Sequence, residues 1–358
     1  GIPHGLGQFP LQTKGQYVPG AALGNMQLFA QGHQKTKGSL RLTGLGGPGD
    51  VLTLRLQGEL AEAMGYPQPN ILRKSEALMR ETYGHLRAIH LVCNPAATRI
   101  CQQQTGRPRG LWSFFSGWTG ARRATDGFVL QGAELTAESP EVFRQDPGRM
   151  IRVFRILQDQ GSVPGAELSA LIRANFSLLT EEWVRSSEVR ETFLHILRQK
   201  GKVGRILRWM HECGVLGRIL PEFAPLTCLV QHEFFHRYTA DEHTLVCLEQ
   251  LDAMLDSKEQ DLRKYGDLYA RVEAPEILAL ALLLHDTGKA ELTRNHEEIG
   301  AVHAAQVSRR FGFRGRELAL MTFLVDHHMT LGAFSRKNLD EPETIRAFAR
   351  IVQDEERL

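Results

Sequence analysis

The sequence predicts a mainly α protein with little strand in its N-terminal part. Apolar residues recur at three- and four-residue spacing from Asp50 onward, as the buried stripe of a helix does. Few segments alternate apolar and polar residues, as a half-buried strand would. Gly, Pro and capping residues cut the periodic stretches into short pieces.

Taken in order, residues 1–49 lack long apolar periodicity and are rich in Gly, Gln and Lys, with RLTGLGGPGD the most flexible-looking piece. They predict an irregular segment. DVLTLRLQGELAEAMGY and ILRKSEALMRETYGHLRAIHLV then predict helices, and Leu72, Leu78, Met79, Tyr83, Leu86 and Ile89 would share one face of the second. Residues 107–138 interrupt the pattern, and FSGWTGARRATDGFVLQGAEL predicts a loop and a short hairpin. Aromatic and basic residues interleave from Trp112 to Arg123, and a partly buried loop explains them better than a base-stacking platform does. In PEVFRQDPGRMIRVFRILQDQG, residues Val142, Phe143, Met150, Val153, Phe154 and Leu157 lie on a common side. ELSALIRANFSLL, VRETFLHILRQ and VGRILRWMHECGVLGRILPEF predict further short helices, with Gly214, Gly217 and Pro221 as stops. No fixed-period repeat is present.

Composition limits the function classes. The 358 residues carry a formal net charge of +2, are 42% hydrophobic and 23% charged, ordinary for a globular protein. No apolar run reaches about 18 residues, so no transmembrane helix and no membrane partner are expected. The start has no charged region followed by an apolar core, so it does not read as a signal peptide. Cys93, Cys101, Cys213, Cys228 and Cys247 are odd in number and lack CxxC spacing. They predict buried thiols and a cytoplasmic location. The balanced charge argues against a nucleic-acid partner.

Chemistry concentrates in the last third. His232, His236, His243, His285, His296, His303, His327 and His328 all fall there. Thr239 is a fitting N-cap, with Asp241 and Glu242 in the first turn, and His243 then faces inward with Leu251 and Leu255. In APEILALALLLHDTGKA, Pro275 opens a helix at its first turn, the run through Leu284 is buried nearly all round, and Gly288 is the expected stop. His285 and Asp286 sit at its end. HEEIGAVHAAQV begins with His296, and GRELALMTFLVDHH ends in His327 and His328. Four helices that each deliver His or Asp near an end would bring those side chains together. Imidazole plus carboxylate suits Mn, Mg, Fe or Zn, and no Cys is placed to compete. An ion there would acidify water and polarise a phosphoryl oxygen. A lone helical histidine such as His195, His211 or His303 is more often a core or surface residue than a ligand. The joint pattern is what stands out.

At this point the sequence resembles the HD superfamily of metal-dependent phosphohydrolases. FHRYTADEHTL, LLLHDTGKA, HEEIGA and FLVDHHMTLGAFSRKNLDEPETIRAFARIVQDEERL are similar to successive blocks of its bifunctional uridylyltransferase/uridylyl-removing enzymes. DVLTLRLQGELAEAMGY, ALMRETYGHLRAI, PEVFRQDPGRMIRVF and MHECGVLGRILPEF resemble the helical and linker segments that precede the HD domain, so residues 50–358 are covered. The resemblance implies an all-helical HD domain at 225–358, preceded by a helical, nucleotidyltransferase-associated linker region at 50–224. Residues 1–49 are then irregular or a transferase remnant.

The resemblance also implies roles. His243, His285 and Asp286 match metal ligands, His296 matches the histidine that serves a second metal, and His328, with His327 adjacent, matches the next block. Asp286 and Lys289 are the expected catalytic residues, Lys289 as a compact charge against a phosphate oxygen. The implied partner is a PII-type signal protein of nitrogen regulation, with UMP as the nucleotide product. Two departures accompany it. No Gly-Ser followed by Asp-x-Asp is present, so no uridylyltransferase activity is expected. The family's final Asp ligand and its ACT domains would lie beyond Leu358. A nucleotide phosphohydrolase of other substrate and a non-catalytic PII-binding module are the competing expectations.

Overall fold

A computed structural model describes residues 52–104, 122–231, 238–291 and 296–358. The readings of residues 1–49, of His232 and His236, and of most of the Trp112–Arg123 stretch lie outside these. The chain divides into two compact units, residues 1–75 and 76–358. The described part is mainly α, and none of its helices is long and apolar enough to cross a membrane.

In the first unit, α1 spans Leu54–Ala63 and is capped by Thr53, whose hydroxyl accepts from the Leu56 amide. Helix α2 spans Ile71–Gln104 and begins there. The Ser75 hydroxyl donates to Gln57 Oε1 at 3.0 Å, and Lys74 pairs with Glu62 at 3.2 Å.

Along α2 itself, the expected face is only partly realised. Leu78 and Met79 are buried, but Leu72, Tyr83 and Ile89 are exposed. Their apolar spacing is helical, yet the described residues cover that side only in part. The hairpin is present as β1 (Arg122–Thr125) and β2 (Phe128–Gln131), followed by β3 (Glu134–Ala137). Asp126 and Gly127 both have positive φ, 57° and 82°, which is what a tight two-residue hairpin turn demands. Strand β4 (Val163–Pro164) adds to β3 in parallel, giving the order β1-β2-β3-β4.

Between β3 and β4 lie α3 (Val142–Gln145) and α4 (Arg149–Gln160). All six residues expected on their common side are at most 1% exposed. Gly161, in the left-handed region, ends α4. Then follow α5 (Ala166–Ala174), α6 (Glu181–Arg185), α7 (Ser187–Arg198), α8 (Val203–Glu212) and α9 (Val215–Ile219). Gly214 does end α8, at φ 81°. Gly217 is not a stop but lies inside α9, where its missing Cβ admits Ala224.

The last third comprises α10 (Ala240–Met254), α11 (Gln260–Arg271), α12 (Pro275–Leu284), α13 (His296–Phe311), α14 (Gly315–Asp326), α15 (Thr330–Ser335) and α16 (Pro342–Val352). Helix α12 packs against α7, α10 and α14, and α13 lies along α14. That is why eight of its ten residues are buried. One buried cluster runs from Phe128 through Leu197, Leu216 and Leu280 to Val325. The thiols are less uniform than expected: Cys213 and Cys228 are buried, Cys247 is half-buried and Cys93 is exposed.

Candidate metal centre

Three segments meet at the end of α12. His243 comes from the first turn of α10, His285 caps α12, Asp286 follows it, and His328 lies just past the end of α14. Donor atoms of His243, His285 and Asp286 lie within 4.8 Å of one another. The His285 ring is 5.5 Å from that of His243 and 5.3 Å from that of His328. His296, first residue of α13, follows at 6.4 Å from His328.

Local backbone geometry aims two of these rings. Nδ1 of His285 lies 2.7 Å from the Leu282 carbonyl, and Nδ1 of His328 lies 2.7 Å from the Val325 carbonyl. In each case an imidazole donates to the residue three positions earlier, at a helix end where carbonyls lack intrahelical partners. That turns Nε2 toward Asp286, 3.3 Å away for His285 and 3.9 Å for His328. A metal-binding histidine is held in this way by its other nitrogen. Nε2 of His328 is buried and has no hydrogen-bond partner. An orphaned, inward-facing imidazole nitrogen beside a buried carboxylate suits a divalent cation, and the donor set is the mixed nitrogen and oxygen type that Mn, Fe or Zn accept.

Charge is arranged to match. The Asp286 side chain is 3% exposed, and Lys289 Nζ lies 3.1 Å from it. Burial alone would raise its pKa, but the His285 hydrogen bond and the charges of His285 and Lys289 outweigh burial and hold the carboxyl well below the usual range. Burial pushes the His328 imidazole down, with the neighbouring His285 adding to the effect. The pocket therefore offers a fixed carboxylate beside a neutral imidazole.

Gly288 has a role different from the expected helix stop. Helix α12 ends at Leu284, and Gly288 sits within a 3₁₀ turn, Thr287–Ala290. A Cβ there would collide with the His296 carbonyl oxygen. Its missing side chain lets the start of α13 press onto the His-Asp turn. The same turn is tied from behind, because Thr287 Oγ1 lies 3.0 Å from His303 Nδ1 and donates to the Leu284 carbonyl. His327 stands apart from the three converging residues. Its ring stacks on Phe323 at 4.3 Å, with Nδ1 3.3 Å from the Asp326 carboxylate.

Some supporting residues gave no sequence signal. His211 Nε2 is 3.0 Å from Asp241 Oδ2, and Arg87 reaches both from α2. Arg87 is separated from His211 by 124 positions, so no local spacing could join them.

Fold and site together define a mainly α protein with a largely buried His/Asp cluster that could hold a metal ion. A family model described as the uridylyltransferase GlnD third domain matches residues 128–219. The bifunctional uridylyltransferase/uridylyl-removing enzyme of Caulobacter vibrioides strain NA1000 / CB15N is 30% identical over 318 residues, 87% of this chain and 34% of that protein. That of Phenylobacterium zucineum strain HLK1 is 32% identical over 87% of this chain and 34% of its own length. That of Nitrosococcus oceani is 32% identical over 66% of this chain and 27% of its own. The chain is a homologue of the bifunctional uridylyltransferase/uridylyl-removing enzymes and spans about a third of the length of these curated relatives.

Proposed function

We propose that this chain carries the uridylyl-removing activity of that family, as an HD-type metal-dependent phosphodiester hydrolase. Its substrate is a PII-type signal protein uridylylated on tyrosine, its products are UMP and unmodified PII, and it acts in cytoplasmic nitrogen regulation. The observation that carries the reading is the convergence of His243, His285 and Asp286 within 4.8 Å, with the orphaned His328 Nε2 facing the same carboxylate.

In this reading residues 225–358 form the HD segment, and residues 50–224 the helical region before it. His243, His285, Asp286 and His328 hold one divalent ion, Mn, Mg, Fe or Zn. His296, whose ring lies 6.4 Å from that of His328, serves a second ion. When bound, the metal supplies Lewis acidity toward a phosphoryl oxygen and an acidified water. The chain's own residues do the rest. Asp286 stays ionised and keeps the site anionic enough to retain a cation. Lys289, paired with Asp286, offsets charge on the phosphate as it builds. Water adds to phosphorus, the bond from phosphorus to the tyrosine oxygen breaks, and that oxygen takes up a proton.

The test is UMP release from uridylylated PII with added Mn. Asp286→Ala removes the carboxylate of the converging trio, and release is expected to fall by at least 100-fold, within the range for loss of an electrostatic catalytic group. Undiminished release by that variant would end the proposal. Faster turnover of small nucleotides than of modified PII would redirect it, because a phosphate-handling site fixes chemistry better than it fixes the ester.

A further inference from the structure

The helix that presents His243 is held by a buried polar network on its opposite side. Asp241 and His243 are two positions apart in the first turn of α10, so their side chains leave the axis about 200° apart. His243 faces His285 on α12. Asp241 faces α8, where its Oδ2 lies 3.0 Å from His211 Nε2. The Asp241 and His211 side chains are 5% and 7% exposed. Arg87 closes the network. Its Nη1 meets His211 Nε2 and lies 3.4 Å from Asp241 Oδ2, and its Nη2 donates to the His211 carbonyl at 2.7 Å. The Phe223 ring packs edge-on against His211, with ring centres 5.6 Å apart.

Such a network controls rotation of a helix better than apolar packing does. Leu245 and Leu248 are held by non-directional packing, whereas a buried carboxylate that leaves its donors loses charge-assisted hydrogen bonds with no water to replace them. A rotation of α10 by about 20° would move an atom at a side-chain radius of about 5 Å by about 2 Å. That is a whole metal–nitrogen bond length. Arg208 also joins α8 to α10, through Glu242 at 2.9 Å and Glu249 at 2.5 Å. Those carboxylates are more than a third exposed or close to it, so water competes for them.

We infer that Arg87 and His211 are positioning residues for the metal ligand His243, acting through Asp241 to fix the rotation of α10. The inference rests on the metal-binding reading of the site. It makes metal affinity depend on α2, a helix that contributes no ligand.

The test is Mn2+ titration of the full chain, stripped with chelator and followed by the electron paramagnetic resonance of free Mn2+, alongside the melting temperature of the metal-free protein. Arg87→Ala and His211→Ala are expected to weaken Mn2+ binding by ten-fold or more, the usual effect of losing an outer-shell partner. His211→Gln keeps a donor for Asp241 and is expected to recover most of that loss. Arg152→Ala serves as the control, because it breaks the pairs with Asp126, Asp146 and Glu188 far along the chain from α10. It is expected to lower the melting temperature while Mn2+ affinity stays within two-fold. If both alanine variants lower the melting temperature but bind Mn2+ within two-fold of the parent, the network is merely structural and the inference is overturned. If the parent chain itself binds no Mn2+, the metal reading fails first and this inference falls with it. Should either alanine variant fail to fold, His211→Gln beside an Asp241→Asn variant gives the same comparison.

Discussion

Asp126 shows how one residue can serve both turn geometry and charge. Its φ of 57° is a left-handed conformation that Asp and Asn tolerate better than most residues. Its carboxylate takes Arg149 at 3.1 Å and Arg152 at 2.7 Å, tying the hairpin to α4. The Arg152 hydrogen bond, opposed by burial and helped by Arg149, pulls its pKa below the ordinary 3.8. A carboxyl whose folded pKa is depressed contributes stability that is complete above the unfolded value and is lost as pH falls through the folded one. Asp126→Asn keeps the turn but removes the charge. It is expected to lower the melting temperature by about 2 °C at pH 7, as a partly exposed ion-pair cluster worth about 1 kcal/mol would. The difference should shrink below about pH 4 and vanish in stronger acid. Calorimetry across that range checks it, and a deficit independent of pH would mean that the charge is idle. At this scale the site was half legible. His285 and Asp286 are adjacent and end an apolar run, so sequence alone flags them, and His243 follows a recognisable cap. Arg87 and His211 could not be flagged, because their significance is a contact across 124 positions.

Among the elements, α12 and the turn after it explain most about how the centre is built. An almost wholly apolar helix is stable only when wrapped by neighbours, and α7, α10 and α14 wrap it. Its C-terminal end is therefore fixed from several sides, and His285 inherits that fixity. Gly288 then permits the close approach of α13. Gly288→Ala would set a methyl against a backbone carbonyl that has no rotamer to escape into. Overpacking of this sort costs about 1–3 kcal/mol, and here it would also push His296 outward. The variant is expected to melt several degrees lower and to lose UMP release more than its stability loss accounts for. Equal melting temperatures for parent and variant would show that the turn relaxes freely. Helices such as α4 were legible from spacing because one stripe faces one core. The face of α2 was not, because apolar spacing reports that a helix has a stripe and says nothing about whether another element arrives to cover it. The hairpin strands were hinted at by the break in helical spacing rather than by alternation, which four residues are too few to display.

For the molecule as a whole, the buried cluster from Phe128 to Val325 crosses the boundary at 224/225 that the family resemblance implies. Contacts across it are specific. Phe193 of α7 meets Phe311 of α13 with ring centres 5.6 Å apart. Arg198 pairs with Glu276 on α12 at 2.8 Å, and Arg310 grips Glu222 with two bonds of 2.8 Å. A fragment of residues 225–358 would therefore expose the α12 surface that α7 covers and strand Glu276, which is 12% exposed on its side chain. Apolar area opened to water costs about 25 cal/mol per Å², set against a native stability of only about 5–15 kcal/mol. That fragment is expected to keep helical content, lack a sharp thermal transition and bind a hydrophobic dye, the behaviour of a collapsed but loosely packed chain. Residues 76–358 are expected to melt in one cooperative step. A sharp transition in the shorter fragment would mean that the helices before Leu226 merely rest on the metal centre. Its absence would mean that those helices are needed for the His/Asp cluster to assemble, although α7 and α8 supply none of its side chains.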